Sequence, residues 1–266
     1  MPYRESERGR RAFRLCRGLG LEIGALHDPF DLDARVLRLD RMDREGLRRW
    51  YEGDRRAPLI RQVHVIAARP PYDFFCDVAF DFVVSSHVLE HMPNPGLAIE
   101  EWLRVTRPGG VVHAVIPNRE KTFDRPRATT PPQKMLAAWE ARDPEAPLAQ
   151  YRDYCLNKEL EAHETRRRTE EEIRALHAAQ ESVHIYTWTP DSAQAFFAAL
   201  VPRLGARLAP VEASGIDIFV TLRKEGEPER EPDDGAFSAR LTRRAGRLRR
   251  RVRRRMKMAL GTWEGD

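Results

Sequence analysis

Four side chains that can take or give a proton near neutral pH could do chemistry in this sequence. Three sit together in Ser86-His87-Val88-Leu89-Glu90-His91, and the fourth is the distant His184. Histidine titrates closest to neutrality of all side chains, and a carboxylate beside it can act as a base or orient the ring. The plain alternative is structural: Glu90 and His91 cap the helix that follows or line a wall. A second set lies earlier. Leu19-Gly20-Leu21-Glu22-Ile23-Gly24 runs from apolar residues through an acid to a glycine, the pattern of a buried strand that stops at a ligand. Gly24 permits a tight turn and close approach of a ligand. Asp40 follows 18 residues after Glu22, at the end of Ala34-Arg35-Val36-Leu37-Arg38-Leu39. An acid at that place can accept hydrogen bonds from both hydroxyls of a ribose; otherwise it is a solvated residue opening a polar stretch.

These residues need elements to hold them. Residues 5–17 read as a charged helix, and strands are expected at 19–23, 34–40, 62–67, 80–86 and 111–116. Between them fall helices at 43–51 and 95–106, the second with Leu97, Ile99, Trp102, Leu103 and Val105 inward, and a turn at Arg107-Pro108-Gly109-Gly110. Strands alternating with helix-length connections predict a parallel, doubly wound sheet. Right-handed crossovers then bring the ends of the first, second and fourth strands to one edge, where such sheets bind ligands. Residues 119–183 are a long excursion for a connection. Helices are expected over 133–140 and 151–179, as a lid over an acceptor or as a decorative subdomain. Lys158–Arg174 is charged enough to read as a solvated helix face. Thr189 and Pro190 open a helix through Leu200. Strands at 207–213 and 216–222, turned at Gly215, would close the chain as an antiparallel edge hairpin.

Four blocks occur in order: Leu21-Glu22-Ile23-Gly24, Leu39-Asp40, His87-Val88-Leu89-Glu90-His91 and Leu103-Arg104-Val105-Thr106-Arg107-Pro108-Gly109-Gly110. Together they resemble class I S-adenosylmethionine-dependent methyltransferases of the type 11 group. The resemblance covers residues 17–118 closely and reaches 224 more loosely. It implies a Rossmann-like, mostly parallel seven-stranded sheet and S-adenosylmethionine as cofactor. It implies that Glu22 and Gly24, with Ala25 beside them, line the methionine part, that Asp40 holds the ribose, and that Ser85, Ser86 and His87 lie under the cofactor. Methyl transfer to a hydroxyl needs the acceptor aligned and its proton removed. His87 is the best placed base by resemblance, His184 the next because it returns after the excursion, with Glu90 and His91 as further candidates. The sequence departs from the family at Ala25-Leu26-His27-Asp28, where two more glycines are usual. It departs again at Ala67-Ala68-Arg69, where an acid often meets the adenine, leaving Asp73 or backbone for that contact. Relatives of this type accompany glycan assembly, which implies a sugar or other small-molecule hydroxyl as acceptor. The competing readings are an inactive scaffold of the same fold in a membrane-associated glycan-assembly complex and an NAD-dependent oxidoreductase. The latter requires Gly-x-Gly-x-x-Gly, and this loop has one glycine.

Composition bounds the rest. Apolar residues make up 41% and charged residues 33% of the 266, so part of the chain is expected outside the core. No apolar run is long enough to span a bilayer, and the first residues do not read as a secretion signal. Cys16, Cys76 and Cys155 are scattered, which fits a reduced, cytoplasmic protein and no zinc site; no metal is expected. The net charge of +5 is uneven: residues 240–266 hold 11 basic and 2 acidic residues, leaving 35 against 39 elsewhere. Nucleic-acid binding is therefore not expected of the body. The chain divides into a body, 1–224, an acidic proline-containing linker, 225–239, and a basic tail, 240–266. In the tail Leu241, Ala245, Leu248, Val252, Met256 and Leu260 recur at helical steps among arginines. That is a basic amphipathic helix suited to an anionic membrane surface at the inner face, or a solvated tail without a partner.

Overall fold

The computed structural model describes residues 6–160 and 164–227. The tail and most of the linker lie outside the described residues. The chain begins with α1 (Glu7–Leu15), capped by Ser6, whose hydroxyl accepts from the Gly9 amide. There follow β1 (Gly18–Ile23), β2 (Ala34–Asp40), α2 (Arg44–Trp50), β3 (Val65–Ile66), β4 (Phe80–Ser86), α3 (Pro95–Val105) and β5 (Thr106–Pro117). Next come α4 (Pro132–Glu140), α5 (Leu148–Asn157), α6 (Glu170–Ala178), α7 (Pro190–Leu200), β6 (Ala206–Leu208), β7 (Glu212–Ser214) and β8 (Asp217–Lys224).

The strands form one sheet in the order β3-β2-β1-β4-β5-β8-β6, with β7 also on β8. The first five are parallel and β8 runs antiparallel to β5, β6 and β7. The doubly wound expectation holds, with β1 at the point where the strand order reverses. Four details differ from it. Among the described residues the sheet has eight strands rather than seven, because the stretch 207–213 is broken at Ala209-Pro210-Val211 into β6 and β7; proline offers no ladder N–H. β8 is not an edge strand but sits between β5 and β6. The third strand is only two residues long. The turn at Arg107–Gly110 is absorbed within β5 as a register shift between Phe80↔Thr106 and Phe82↔Val111.

The sheet is covered on both faces. One carries α3 and α7, with Trp102, Trp188, Phe196 and Phe197 fully buried; truncating either tryptophan would cost about 3–5 kcal/mol. The other carries α1, with Ala12, Cys16, Phe30, Phe82, Val84 and Phe219 packed together. The segment between β5 and α7 leaves and returns at one stem. There Asn118 bridges Trp188, the Arg119 amide donates to the Trp188 carbonyl at 2.8 Å, and the Asn118 amide donates to the Ile216 carbonyl at 2.7 Å. The continuous helix expected over 151–179 is two helices, α5 and α6. Thr169 caps the second in a reciprocal box with Glu172, which gives that polar stretch a helix start in place of a continuation. α4 packs onto α3 where Gly96 lets Trp139 approach: a Cβ there would lie 2.5 Å from the Trp139 Cβ.

Candidate functional site

The ends of β1, β2 and β4 meet at one edge, as the winding requires. There they line a cavity of about 390 Å³, within the size range of small-molecule sites. Gly24 forms its floor at φ +68°, and a Cβ there would come 2.5 Å from Val88 Cγ2. Only glycine lets β1 end against the loop that follows β4. Asp40 closes β2. Its Oδ1 accepts from the Arg41 amide at 2.8 Å, while its Oδ2 is buried with no hydrogen-bond partner. Burial pushes its pKa up to about 6, against the opposing pull of that amide and of the Arg41 charge. An unpaired buried carboxylate oxygen is costly unless a ligand donates to it, and this one lies in the cavity wall. Arg41 stacks on Trp50 at 4.4 Å, and Trp50, Tyr51, Ala67, Ala68 and Arg69 continue the lining. Asp73, offered for an adenine contact, is not in that lining.

Of the expected cofactor residues, Gly24, Asp40 and His87 line the cavity and Glu22, Ala25, Ser85 and Ser86 do not. Glu22 is fully buried and already occupied. Its Oε1 accepts from the Phe30 amide at 2.6 Å and its Oε2 from Arg38 Nε at 3.2 Å. It ties down the loop after β1 and reaches into no open space. Burial, partly offset by these two partners, raises its pKa to about 7. Ser86 is held by Arg8 of α1, which also reaches Asp28, both at 2.8 Å, and so straps the helix across the strand ends. Ser85 is buried, and its hydroxyl has no partner.

The four proton-carrying residues are brought together. His87 follows β4 in a left-handed conformation, φ +54°, which a residue other than glycine rarely adopts. Its amide donates to the Val115 carbonyl at 2.9 Å, so β5 holds the strained backbone in place. Strain of this kind gathers at working sites. The ring lies 2.8 Å from Asp217 Oδ1 through Nε2 and 3.7 Å from Glu90 Oε1 through Nδ1. Burial works against its charged form, but Asp217 and Glu90 outweigh it and the pKa is raised. Glu90 and His91 belong to a short 3-10 turn, Leu89–His91, and neither caps α3: Asn94 does, accepting from the Leu97 amide. Glu90 is completely buried; burial raises its pKa, although His184 and His87 favour its charge. Burial and the neighbouring His184 lower the pKa of His91 to about 3. His184 Nδ1 lies 2.5 Å from Asp124 Oδ2. Asp124 also accepts from the buried Arg127 at 2.7 Å, and Arg127 Nη1 donates to the His184 carbonyl at 2.9 Å.

Three residues of this site were missed in the sequence: Asp124, Arg127 and Asp217. Asp217 reaches His87 only because β8 pairs β5 with Pro117 opposite Asp217, a register with no local signal. Asp124 and Arg127 sit in a polar, proline-containing stretch that gives no sign of burial. Tyr151, Ala179, Gln180, Glu181 and Ser182 line the cavity from the segment between β5 and α7, so that segment forms one of its walls.

Residues 18–114 match the family model described as a methyltransferase domain. Among solved structures, a SAM-dependent methyltransferase from Aquifex aeolicus aligns over 84% of this chain and 93% of its own, at 14% identity and a TM-score of 0.42. A SAM-dependent methyltransferase from Methanosarcina mazei aligns over 79% of this chain and 93% of its own, at 14% identity and a TM-score of 0.42. No curated protein matches the sequence. The family match covers β1 through most of β5, the stretch that supplies Gly24, Asp40 and His87.

Proposed function

We propose that this chain, whose residues 18–114 match the family model described as a methyltransferase domain, uses S-adenosylmethionine to methylate a hydroxyl of a sugar, a glycan precursor or another small molecule, with His87 as the base. When bound, S-adenosylmethionine supplies an electrophilic methyl group and a sulfur that departs without needing a proton. The residues present fit it. The unpaired Asp40 Oδ2 is placed to accept from ribose hydroxyls, and Gly24 keeps the floor of the cavity free of a side chain. What remains for the protein is alignment of the acceptor and removal of its proton.

The observation that carries the reading is His87 itself. It is strained, lines the cavity and is oriented by a carboxylate. With Nε2–H donating to Asp217, the Nδ1 lone pair is the atom that accepts the proton, and Asp217 stabilises the resulting imidazolium. His184 is the weaker choice, because it does not line the cavity. Gln180, Glu181 and Ser182 give the cavity a polar rim, which supports a hydroxyl-rich acceptor over an apolar one.

The test uses labelled S-adenosylmethionine with a panel of sugars, nucleotide sugars and phenols. His87→Gln is expected to lower turnover by ~10²–10⁴-fold while binding S-adenosylhomocysteine as the wild type does. Near-normal turnover in that variant would remove His87 from the chemistry and leave alignment alone. Product binding without turnover on any acceptor would favour the inactive scaffold.

A further inference from the structure

Beside the cavity, Glu90, His91 and His184 place one carboxylate oxygen and two imidazole nitrogens all within 4.8 Å of one another. We propose that these three residues bind a divalent transition-metal ion, of the class that takes imidazole and carboxylate together, such as zinc.

The distances carry the first part of the argument. Glu90 Oε1 lies 3.8 Å from His91 Nε2 and 3.9 Å from His184 Nε2. Those separations are too long for hydrogen bonds. These two are close to what a cation produces, since ligand atoms each ~2.0–2.2 Å from one metal ion stand ~3.3–4 Å apart, and the two imidazole nitrogens, within 4.8 Å of each other, would draw closer on sharing the ion. Both oxygens of Glu90 are buried and neither makes a hydrogen bond to another residue. A completely buried carboxylate left in that state calls for a cation.

The outer contacts carry the second part. Asp124 Oδ2 accepts from His184 Nδ1 at 2.5 Å, which fixes the tautomer and turns the Nε2 lone pair toward Glu90. An acceptor nitrogen then faces an acceptor oxygen, an arrangement that is repulsive until a positive charge lies between them. His91 Nδ1 lies 3.2 Å from the Ser182 hydroxyl, which accepts its proton when Nε2 serves as the ligand atom. Metal-binding histidines are oriented through their second ring nitrogen in this way. Asp124 is in turn fixed by the buried Arg127, which also reaches Asp153 at 2.8 Å.

The backbone carries the third. The Ile185 amide donates to the Glu90 carbonyl at 2.8 Å. This bond pins the His184 segment to the turn bearing Glu90 and His91, although the two lie far apart in sequence. Three ligands arranged in advance on two cross-linked segments leave a coordination position for an outside oxygen. His91 also lines the cavity, so an acceptor oxygen is within the reach of such an ion.

The experiment uses the full, untagged chain after dialysis against a chelator, with zinc as the probe. Gel-filtered protein is expected to retain about one zinc per chain, and cobalt in its place to give the visible absorption of a low-coordinate site. His91→Ala, His184→Ala and the near-isosteric Glu90→Gln should each weaken zinc binding at least ~100-fold, and His177→Ala should not. Asp124→Asn should weaken it by ~10–100-fold. Wild-type protein that retains no zinc and gives no cobalt spectrum overturns the proposal. So does equal zinc binding by folded Glu90→Gln and wild type. S-adenosylhomocysteine binding, measured on the same samples, reports the methyl-donor site separately. A protein that binds that product but no metal rejects this site alone.

Discussion

The cavity has two walls made in different ways. The strand-end wall, with Gly24, Asp40 and Ala67–Arg69, is laid down by consecutive strands of one parallel sheet, and its side chains are there because their strands end there. The opposite wall draws on separate segments, the turn after β4, Tyr151 and Ala179–Ser182, braced by the stretch around Asp124 and the return through His184, which do not themselves line the cavity. It is held by buried charge, since Arg127 and Asp124 are both almost wholly inaccessible. The first wall is specified by local pattern and would survive most single changes. The second is specified by contacts between distant residues, and each buried ion in it depends on its partner.

The largest effect expected from that difference is on stability. Arg127→Ala leaves the buried Asp124 with one partner, His184, in place of two, and removes donors from the carbonyls of His184 and Ile185. Breaking a buried pair from one side costs ~3–5 kcal/mol, read as a lower urea midpoint. A loss under about 1 kcal/mol, the value of an exposed pair, would make the two walls alike in construction.

Asp40→Ala probes the other wall. It should leave the fold intact and remove charge-assisted hydrogen bonds worth ~1.5–3 kcal/mol each, lowering S-adenosylhomocysteine affinity at least ~tenfold by calorimetry. Unchanged affinity would detach the ribose from Asp40. The same group predicts a pH dependence. With its pKa near 6, Asp40 is protonated below that value and loses acceptor capacity. Product affinity should therefore fall as pH is lowered through about 6, and the Asp40→Ala variant should lack that fall.

The contrast also sets what could be read from the sequence. β2, β4 and α7 keep the bounds that their apolar runs and the Thr189-Pro190 cap imply, and the Rossmann-like winding follows from their order. Asp40's place at the cavity edge could be read because an acid ending an apolar strand is a local signal. The pairing of His87 with Asp217 spans 130 residues and that of His184 with Asp124 spans 60; only the fold supplies them. The division of the last strands turned on Pro210, whose missing donor an alternation pattern does not register. Glu22 misled for a physical reason: an acid at a strand end reads the same whether it faces a ligand or, as here, the amide of Phe30.

Glu22 thus supplies the smallest and sharpest test of the two walls. It lies on the strand-end side yet is built like the other, a buried carboxylate satisfied by protein. Glu22→Gln keeps an oxygen for the Phe30 amide but turns an NH2 toward Arg38 Nε, losing that hydrogen bond together with the charge. Product affinity should be unchanged, because the side chain does not line the cavity. Stability should respond to pH instead. The folded-state pKa, about 7, stands above the value of ~4.3 for an unfolded glutamate. Between those values the folded protein holds a proton that the unfolded chain has released. Stability contributed by this group is therefore full below ~4.3, declines as pH rises toward 7 and levels off above it. The Gln variant lacks that contribution, so the difference in urea midpoint between the two proteins should shift in favour of the variant as pH rises from 5 to 7. A midpoint difference that stays flat over that interval would mean that Arg38 and Phe30 keep Glu22 ionised in spite of its burial. A drop in product affinity comparable to that of Asp40→Ala would return Glu22 to the cofactor wall.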